Sequence, residues 1–383
     1  MEFLGGAFGT ILPFLLVLGV LIFFHELGHY LAARSVGVHV EVFSIGFGRE
    51  VFGWTGRTGT RWKIGWIPLG GYVKLHGHES PEDRARAVAE AREKGQPPPV
   101  WREGRTFGEK RVGARAWVVA AGPLANFLLA AVLLAGMFVT AGRPDTAPVI
   151  TGVQAQSAAE RAGLRPGDRI VAIDGRATPR FEDVQATVRL RPGQTMTLTV
   201  QRDGAALTLP VTPDLREISD RFGNVQRIGM LGVAGGVPEY RRLDPVAALA
   251  AGALETLRLT EQTLLALWQM IAGTRGTDEI GGPIRIAQLS GQVAEGGLIP
   301  LIGLMALLSV NLALINLFPI PILDGGHLVM YAYEAVRGRP LPPRAQEYAF
   351  RGGLAILLAI FVLATWNDLT HLRVVDWLSG LLG

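Results

Sequence analysis

The 383-residue chain has no cysteine. Disulfides, zinc ribbons and thiol catalysis are therefore excluded, and any metal site must be built from His, Asp or Glu. Charge is scarce. Only 18% of residues are Asp, Glu, Lys or Arg, 49% are hydrophobic, and the mean hydropathy is +0.29. That balance is too apolar for an ordinary soluble protein of this length. The net charge of +4 is modest and points to no nucleic-acid partner. The first apolar stretch lacks a basic leader, and His25-Glu26 follows it where a signal peptide would carry a small-residue cleavage site. It reads as a retained first span. No low-complexity tract or solenoid repeat occurs.

Long uncharged runs are present instead. Residues 3–24, 116–141 and 296–323 carry no charge, and each is long enough for a hydrocarbon core that needs about 20 residues. A fourth run, 352–367, is shorter and spans only with its flanks. Lys and Arg crowd the connection between the first two runs (Arg49, Arg57, Arg61, Lys63, Lys74, Arg84, Arg86) and the one after the third (Arg337, Arg339, Arg344, Arg351). The positive-inside rule makes both connections cytoplasmic and puts the termini and the long middle region outside.

Along the chain, residues 40–75 read as short strands broken by glycine, a small sheet beside the membrane. Residues 79–103 read as a short solvated helix and a stiff Pro97-Pro98-Pro99 connector. Residues 148–233 form a compact domain of strands with one helix from Phe181 to about Leu190, and with turn chemistry at Pro166-Gly167-Asp168 and Asp174-Gly175. Asp244 and Pro245 open an amphipathic helix whose apolar side carries Val246, Leu249, Leu257, Leu264, Trp268 and Ile271. That helix lies on the membrane surface or packs on the core.

The chemical signal is His25-Glu26-Leu27-Gly28-His29 at the end of the first run. Residues four apart share a helix face, so two imidazoles can hold one Zn²⁺ while the glutamate reaches the water it activates. Ionisable groups at membrane depth are costly and mark function. The bland alternative is a helix end that has reached the headgroup zone. A third ligand is required. Asp324 and His327 lie at the end of the third run, behind the helix-breaking Pro319 and Pro321. A buried Asp there needs a partner, for which a metal ion serves; the alternative is a cap for the next helix. His39, His76, His78 and His371 read as isolated or solvated.

Together, HELGH, Gly122-Pro-Leu-Ala-Asn126-Phe127 and Asn316-Leu-Phe-Pro-Ile-Pro-Ile-Leu-Asp324-Gly-Gly-His327 resemble the site-2 proteases, intramembrane zinc metalloproteases, and most closely the bacterial regulator of sigma-E protease type. The resemblance covers nearly the whole chain. It implies one zinc per chain held by His25, His29 and Asp324, with Glu26 catalytic. It implies that Asn316 contacts substrate backbone or the oxyanion, and that Asn126 has a structural or substrate-contact role. Residues 40–75, with Gly70, Gly71 and Tyr72, resemble the family's membrane-associated hairpin, on which an unwound substrate can pair by β-augmentation. Residues 148–233 resemble a PDZ domain, with peptide capture expected near Val149, Ile150 and Thr151; one such unit is found where the best-known enterobacterial member has two.

The expected fold is a polytopic α-helical membrane protein of about four transmembrane helices, with a membrane-associated β-hairpin and an inserted PDZ-like α+β domain. Its segments are 1–36 (first span), 37–112 (β-rich loop and linker), 113–142 (second span), 146–236 (PDZ-like domain), 244–295 (amphipathic helix and connector), 296–336 (third span) and 345–383 (fourth span and tail). The expected activity is cleavage of single-span membrane proteins, anti-sigma factors or signal-peptide remnants, in the bacterial inner membrane. A catalytically silent PDZ scaffold and a metal transporter are the competing readings.

Overall fold

The computed structural model describes residues 2–77, 89, 104–219, 225–274, 276 and 281–371. Apart from residue 89, the helix and proline connector expected over 79–103 lie outside the described residues, as does the tail after 371. Two compact units are present: residues 1–133 with 286–363, and residues 134–285 with 364–383.

The first unit is built on long apolar helices. Helix α1 (Glu2–Ser35) is followed by strands β1 (Val40–Thr55) and β2 (Arg61–Leu75), then α2 (Val112–Thr140). Val17 and Leu21 of α1 and Leu129 of α2 meet Leu301 and Met305 of a later helix in one buried cluster. Among the described residues, four helices are long and apolar enough to cross a membrane: residues 9–35, 112–140, 298–317 and 343–370. The last is longer than its apolar run because polar flanks at both ends continue the helix.

The expected short strands are instead two long ones. Glycines bend these strands without ending them: Gly46, Gly48 and Gly70 have positive φ (86°, 83° and 89°). The hairpin curls so that Phe43 pairs with both Trp62 and Val73, and Trp62 pairs with both Phe43 and Trp54. The result is four antiparallel rungs ordered 71–75, 40–47, 61–67 and 50–55. Cross-strand partners share a face. One face holds buried Phe43, which packs edge-on against Phe23 and Tyr30 of α1 and stacks on Trp62. The outer part of that face leaves Phe52, Trp54 and Ile64 exposed.

The third apolar run breaks, as its prolines require. Pro319 forces Phe318 into extended backbone (φ −63°, ψ 145°) and ends α7 (Leu298–Leu317). The chain then turns sharply, with Ile322 at φ 109°, and α8 (Asp324–Arg337) begins. This loop folds back over the first turn of α8, where a Cβ on Gly325 or Gly326 would collide with the carbonyls of Leu317, Phe318 and Ile320. The other end of α8 is fastened to α2: Arg115 Nη2 pairs with Glu334 Oε1 at 2.6 Å and its guanidinium sits 5.0 Å from the Tyr331 ring centre. Helix α9 (Pro343–His371) touches the loop where Gly353 abuts Pro321.

The second unit holds the inserted α/β domain. After the short strands β3 (Arg143–Pro144) and β4 (Gly152–Val153), its main sheet has the order β6-β5-β7-β8 (Arg176–Ala177, Arg169–Ile173, Met196–Arg202, Ala205–Val211), with α3 (Ala158–Arg161) and α4 (Phe181–Arg189) packed on it. Period-two burial along β7 sends Met196, Leu198 and Val200 into a core with Ile150, Ile170, Val184 and Leu231. Helix α5 (Pro245–Ile271) is capped by Asp244, which accepts from the N–H groups of Val246 and Ala247. Its polar and small side faces the domain: Arg258 bonds Asp183 at 3.0 Å, Gln269 donates to Leu190 O at 2.7 Å, and Ala248, Ala251 and Gly252 are buried. Its apolar side, with Val246, Leu257, Trp268 and Ile271, is therefore exposed and forms no part of that core. Asp368 near the end of α9 is buried and accepts from the N–H groups of Gly282, Ile284 and Arg285, capping α6 (Pro283–Glu295).

Asp168 sets the turn before β5. Its carboxylate takes two bonds from Arg202 (2.6 and 2.7 Å) and one from Arg165 N–H (2.8 Å). Arg202 foremost holds its pKa below the ordinary 3.8, despite burial. A depressed pKa stabilises the fold above the unfolded value and loses that contribution as pH falls through the folded one. Thermal melts should therefore show Asp168→Asn costing most at pH 7, with the gap from wild type closing below about pH 4.

Candidate metal centre

His25 and His29 are four residues apart on α1, so both rings leave one face. Asp324, the first residue of α8, meets them. Its Oδ2 lies 3.3 Å from His25 Nε2 and 3.4 Å from His29 Nε2, and the two nitrogens are 3.3 Å apart. A tetrahedral zinc ion with bonds of about 2.0–2.1 Å has donor–donor edges of about 3.3–3.4 Å. The three atoms thus match one face of a zinc tetrahedron and leave the fourth corner open. Asp324 Oδ2 is also buried with no hydrogen-bond partner, an orphan that a cation satisfies. Among the described residues this is the cluster of three or more His, Asp or Glu with metal-ligand spacing.

The proton on His29 can be located. Its Nδ1 lies 2.8 Å from Val118 O. A carbonyl only accepts, so Nδ1 carries the hydrogen and Nε2 keeps the lone pair a metal needs. His25 Nδ1 faces the amide of Asn126 at 3.2 Å.

Helix α2 supplies these partners because it comes unusually close to α1. A Cβ on Gly28 would collide with Ala121 O, and one on Gly122 would collide with the His29 ring. Gly122 and Asn126 are themselves one turn apart, so the glycine faces His29 and the asparagine faces His25. Glu26 is 8% exposed and lies against the sheet: a Cβ on Gly71 would come 2.9 Å from Glu26 Cγ. The outer rung of the sheet therefore passes the glutamate directly.

Other expected residues fall elsewhere. Asn316 donates to Leu312 O of its own helix at 3.0 Å, and no hydrogen bond joins it to the triad among the described residues. Tyr72 stacks on Phe47, with Lys63 5.2 Å from its ring centre, and Gly70 packs on the same Phe47 ring. His76 bonds Glu41 at 2.7 Å, and His327 lies against Phe350 and Tyr331. In the second unit a groove of about 510 Å³ runs between α4 and residues 228–234, lined by Phe181, Val184, Val188, Ile228, Leu231 and Val233. Val149, Ile150 and Thr151 do not line it: Ile150 is in the core and Thr151 bonds Ala234 and Gly235. The groove and the strand expected to capture peptide, residues 149–151, are thus different segments of the domain. Sequence reasoning missed Val118 O, a backbone atom without any side-chain signal.

Two ring nitrogens and a carboxylate on one zinc-sized face, with a glutamate alongside, are the donor set a metallopeptidase centre requires. The Peptidase family M50 model matches residues 13–360, and the chain belongs to that family. It is a zinc metalloprotease, with Zn²⁺ as its cofactor. Relatives include "Putative zinc metalloprotease Atu1380" of Agrobacterium fabrum, 44% identical over 95% of this chain and 96% of its own. Metalloprotease MmpA of Caulobacter vibrioides is 38% identical over 96% of this chain and 97% of its own. Among solved structures, the PDZ domain of an SdrC-like protein from Listeria innocua covers 25% of this chain and 99% of its own at 14% identity, with a TM-score of 0.20.

Gly122→Ala should push the His29 ring off its position. The expected result is a loss of zinc affinity of about tenfold or more with the helical circular dichroism retained, read by metal content per chain after dialysis.

Proposed function

We propose that the chain hydrolyses peptide bonds in the transmembrane segments of single-span proteins, with His25, His29 and Asp324 as zinc ligands and Glu26 as the catalytic base. The observation that carries this reading is the zinc-sized triangle formed by a membrane-length helix and the first residue of α8. When bound there, zinc supplies Lewis acidity and makes water a nucleophile at neutral pH. Glu26 accepts the proton of the attacking water and returns it to the departing amine.

A helix hides its peptide bonds, so the substrate must be extended first. Residues 71–75 form an outer rung with no further strand beyond it among the described residues. A strand added along Gly71 and Tyr72 runs past Glu26, while Gly70, at φ 89°, lets the start of the rung lie directly on the Phe47 ring. Asn316, in the last turn of α7, is the candidate to contact substrate backbone. In this reading four helices span the bacterial inner membrane, the basic connections are cytoplasmic, and the termini and inserted domain face outward. The exposed apolar side of α5 rests on the outer leaflet. The groove beside α4 is where a PDZ-type domain takes an extended peptide, here the newly cut end of an anti-sigma factor or signal-peptide remnant.

The test uses purified full-length chain in detergent with a single-span model substrate. Glu26→Gln should retain zinc and lose cleavage by about 10²-fold or more. Asp324→Ala should lose both zinc and cleavage. Wild-type cleavage by Glu26→Gln would sink the assignment.

A further inference from the structure

An imidazole that ligates through Nε2 must carry its proton on Nδ1, and that proton needs an acceptor with fixed direction. His29 finds a carbonyl, Val118 O. The corresponding neighbour of His25 is the Asn126 amide, 101 residues away in sequence and 3.2 Å away in space. An amide offers either an acceptor or a donor after a half turn about its last torsion. With the nitrogen toward His25, the Asn126 oxygen is buried without a partner. With the oxygen toward His25, it accepts the Nδ1 proton, and Nε2 is left with its lone pair aimed at Asp324 and His29. The second arrangement satisfies the orphaned oxygen and produces the ligating tautomer together.

We propose that Asn126 is the positioning residue for His25: its amide oxygen holds the ring in the tautomer and orientation that bind zinc. This rests on the reading of His25 as a ligand and deepens it. Three observations support the assignment. Asn126 is fully buried (0% exposed), so it cannot reach a substrate strand arriving at Gly71. Its own backbone is tethered, because Ser309 Oγ of α7, also fully buried, donates to Asn126 O at 2.8 Å. And Gly122, one turn earlier, sets the distance between α1 and α2 by admitting the His29 ring. The Gly122–Asn126 pair thus matches the His29–His25 pair position for position, one member making room and the other making a bond.

The experiment measures zinc affinity of the full-length chain in detergent by competition with a chromophoric chelator, with the visible spectrum of the cobalt-substituted protein as a second readout. Asn126→Leu keeps the volume and removes the acceptor. It should weaken zinc binding by about 10–100-fold and shift the cobalt bands. Asn126→Asp restores an acceptor and should bind zinc within a few-fold of wild type. If both variants bind zinc as wild type does, the proposal is overturned, and a raised KM with unchanged affinity would assign Asn126 to substrate instead. If Asn126→Leu does not fold, Asn126→Asp decides alone: a tenfold loss of affinity in a folded protein overturns the acceptor role. His25→Ala separates the two levels, because unchanged zinc binding there refutes the ligand reading itself and not merely its support by Asn126.

Discussion

Two helices can approach to backbone contact only where side chains vanish from the seam between them. Gly28 of α1 and Gly122 of α2 remove those side chains at the same level, and Ala121 O and the His29 ring occupy the space they leave. Everything polar in the centre depends on that approach. Val118 O can reach His29, and the Asn126 amide can reach His25, only because the two axes lie this close. Imidazoles buried among apolar helices need such partners, since an unmade hydrogen bond is more costly away from water than at the surface.

Asp324 reaches the pair by a different device. Its helix is short, and both ends are held. The Pro319-to-Leu323 loop lies on the glycines of its first turn, and Arg115 grips Glu334 and Tyr331 three turns later. Asp324 therefore sits on a rigid element, although it comes directly after an irregular segment. Irregular backbone beside a span is tolerated where it is enclosed by protein, and here α9 encloses it through Gly353.

Much of this was legible in the sequence. The spacing of His25 and His29, the prolines before Asp324 and the uncharged runs each carry a local rule, and those rules held. The strands of residues 40–75 were misjudged in number because glycine reads as a stop, whereas here it supplies positive φ within continuing strands. Helix α5 showed two faces in the sequence, but not which face packs. Arg258 and Gln269 turn its polar side toward the domain, an outcome decided by partners 75 and 79 residues away. Asn126 was visible as part of a motif, yet its bond to His25 is a matter of helix depth and register that no spacing within α2 reveals.

The two halves of the triad are far apart along the chain. His29 emerges from the ribosome 295 residues before Asp324, with a whole folded domain between them. At about 5–20 residues per second that interval is roughly 15–60 s. Through that time a nascent chain holds two histidines and a glutamate but not Asp324, the third corner of the cluster. On the proposed reading hydrolytic competence therefore waits for α8, and a chain that stops before it is inert.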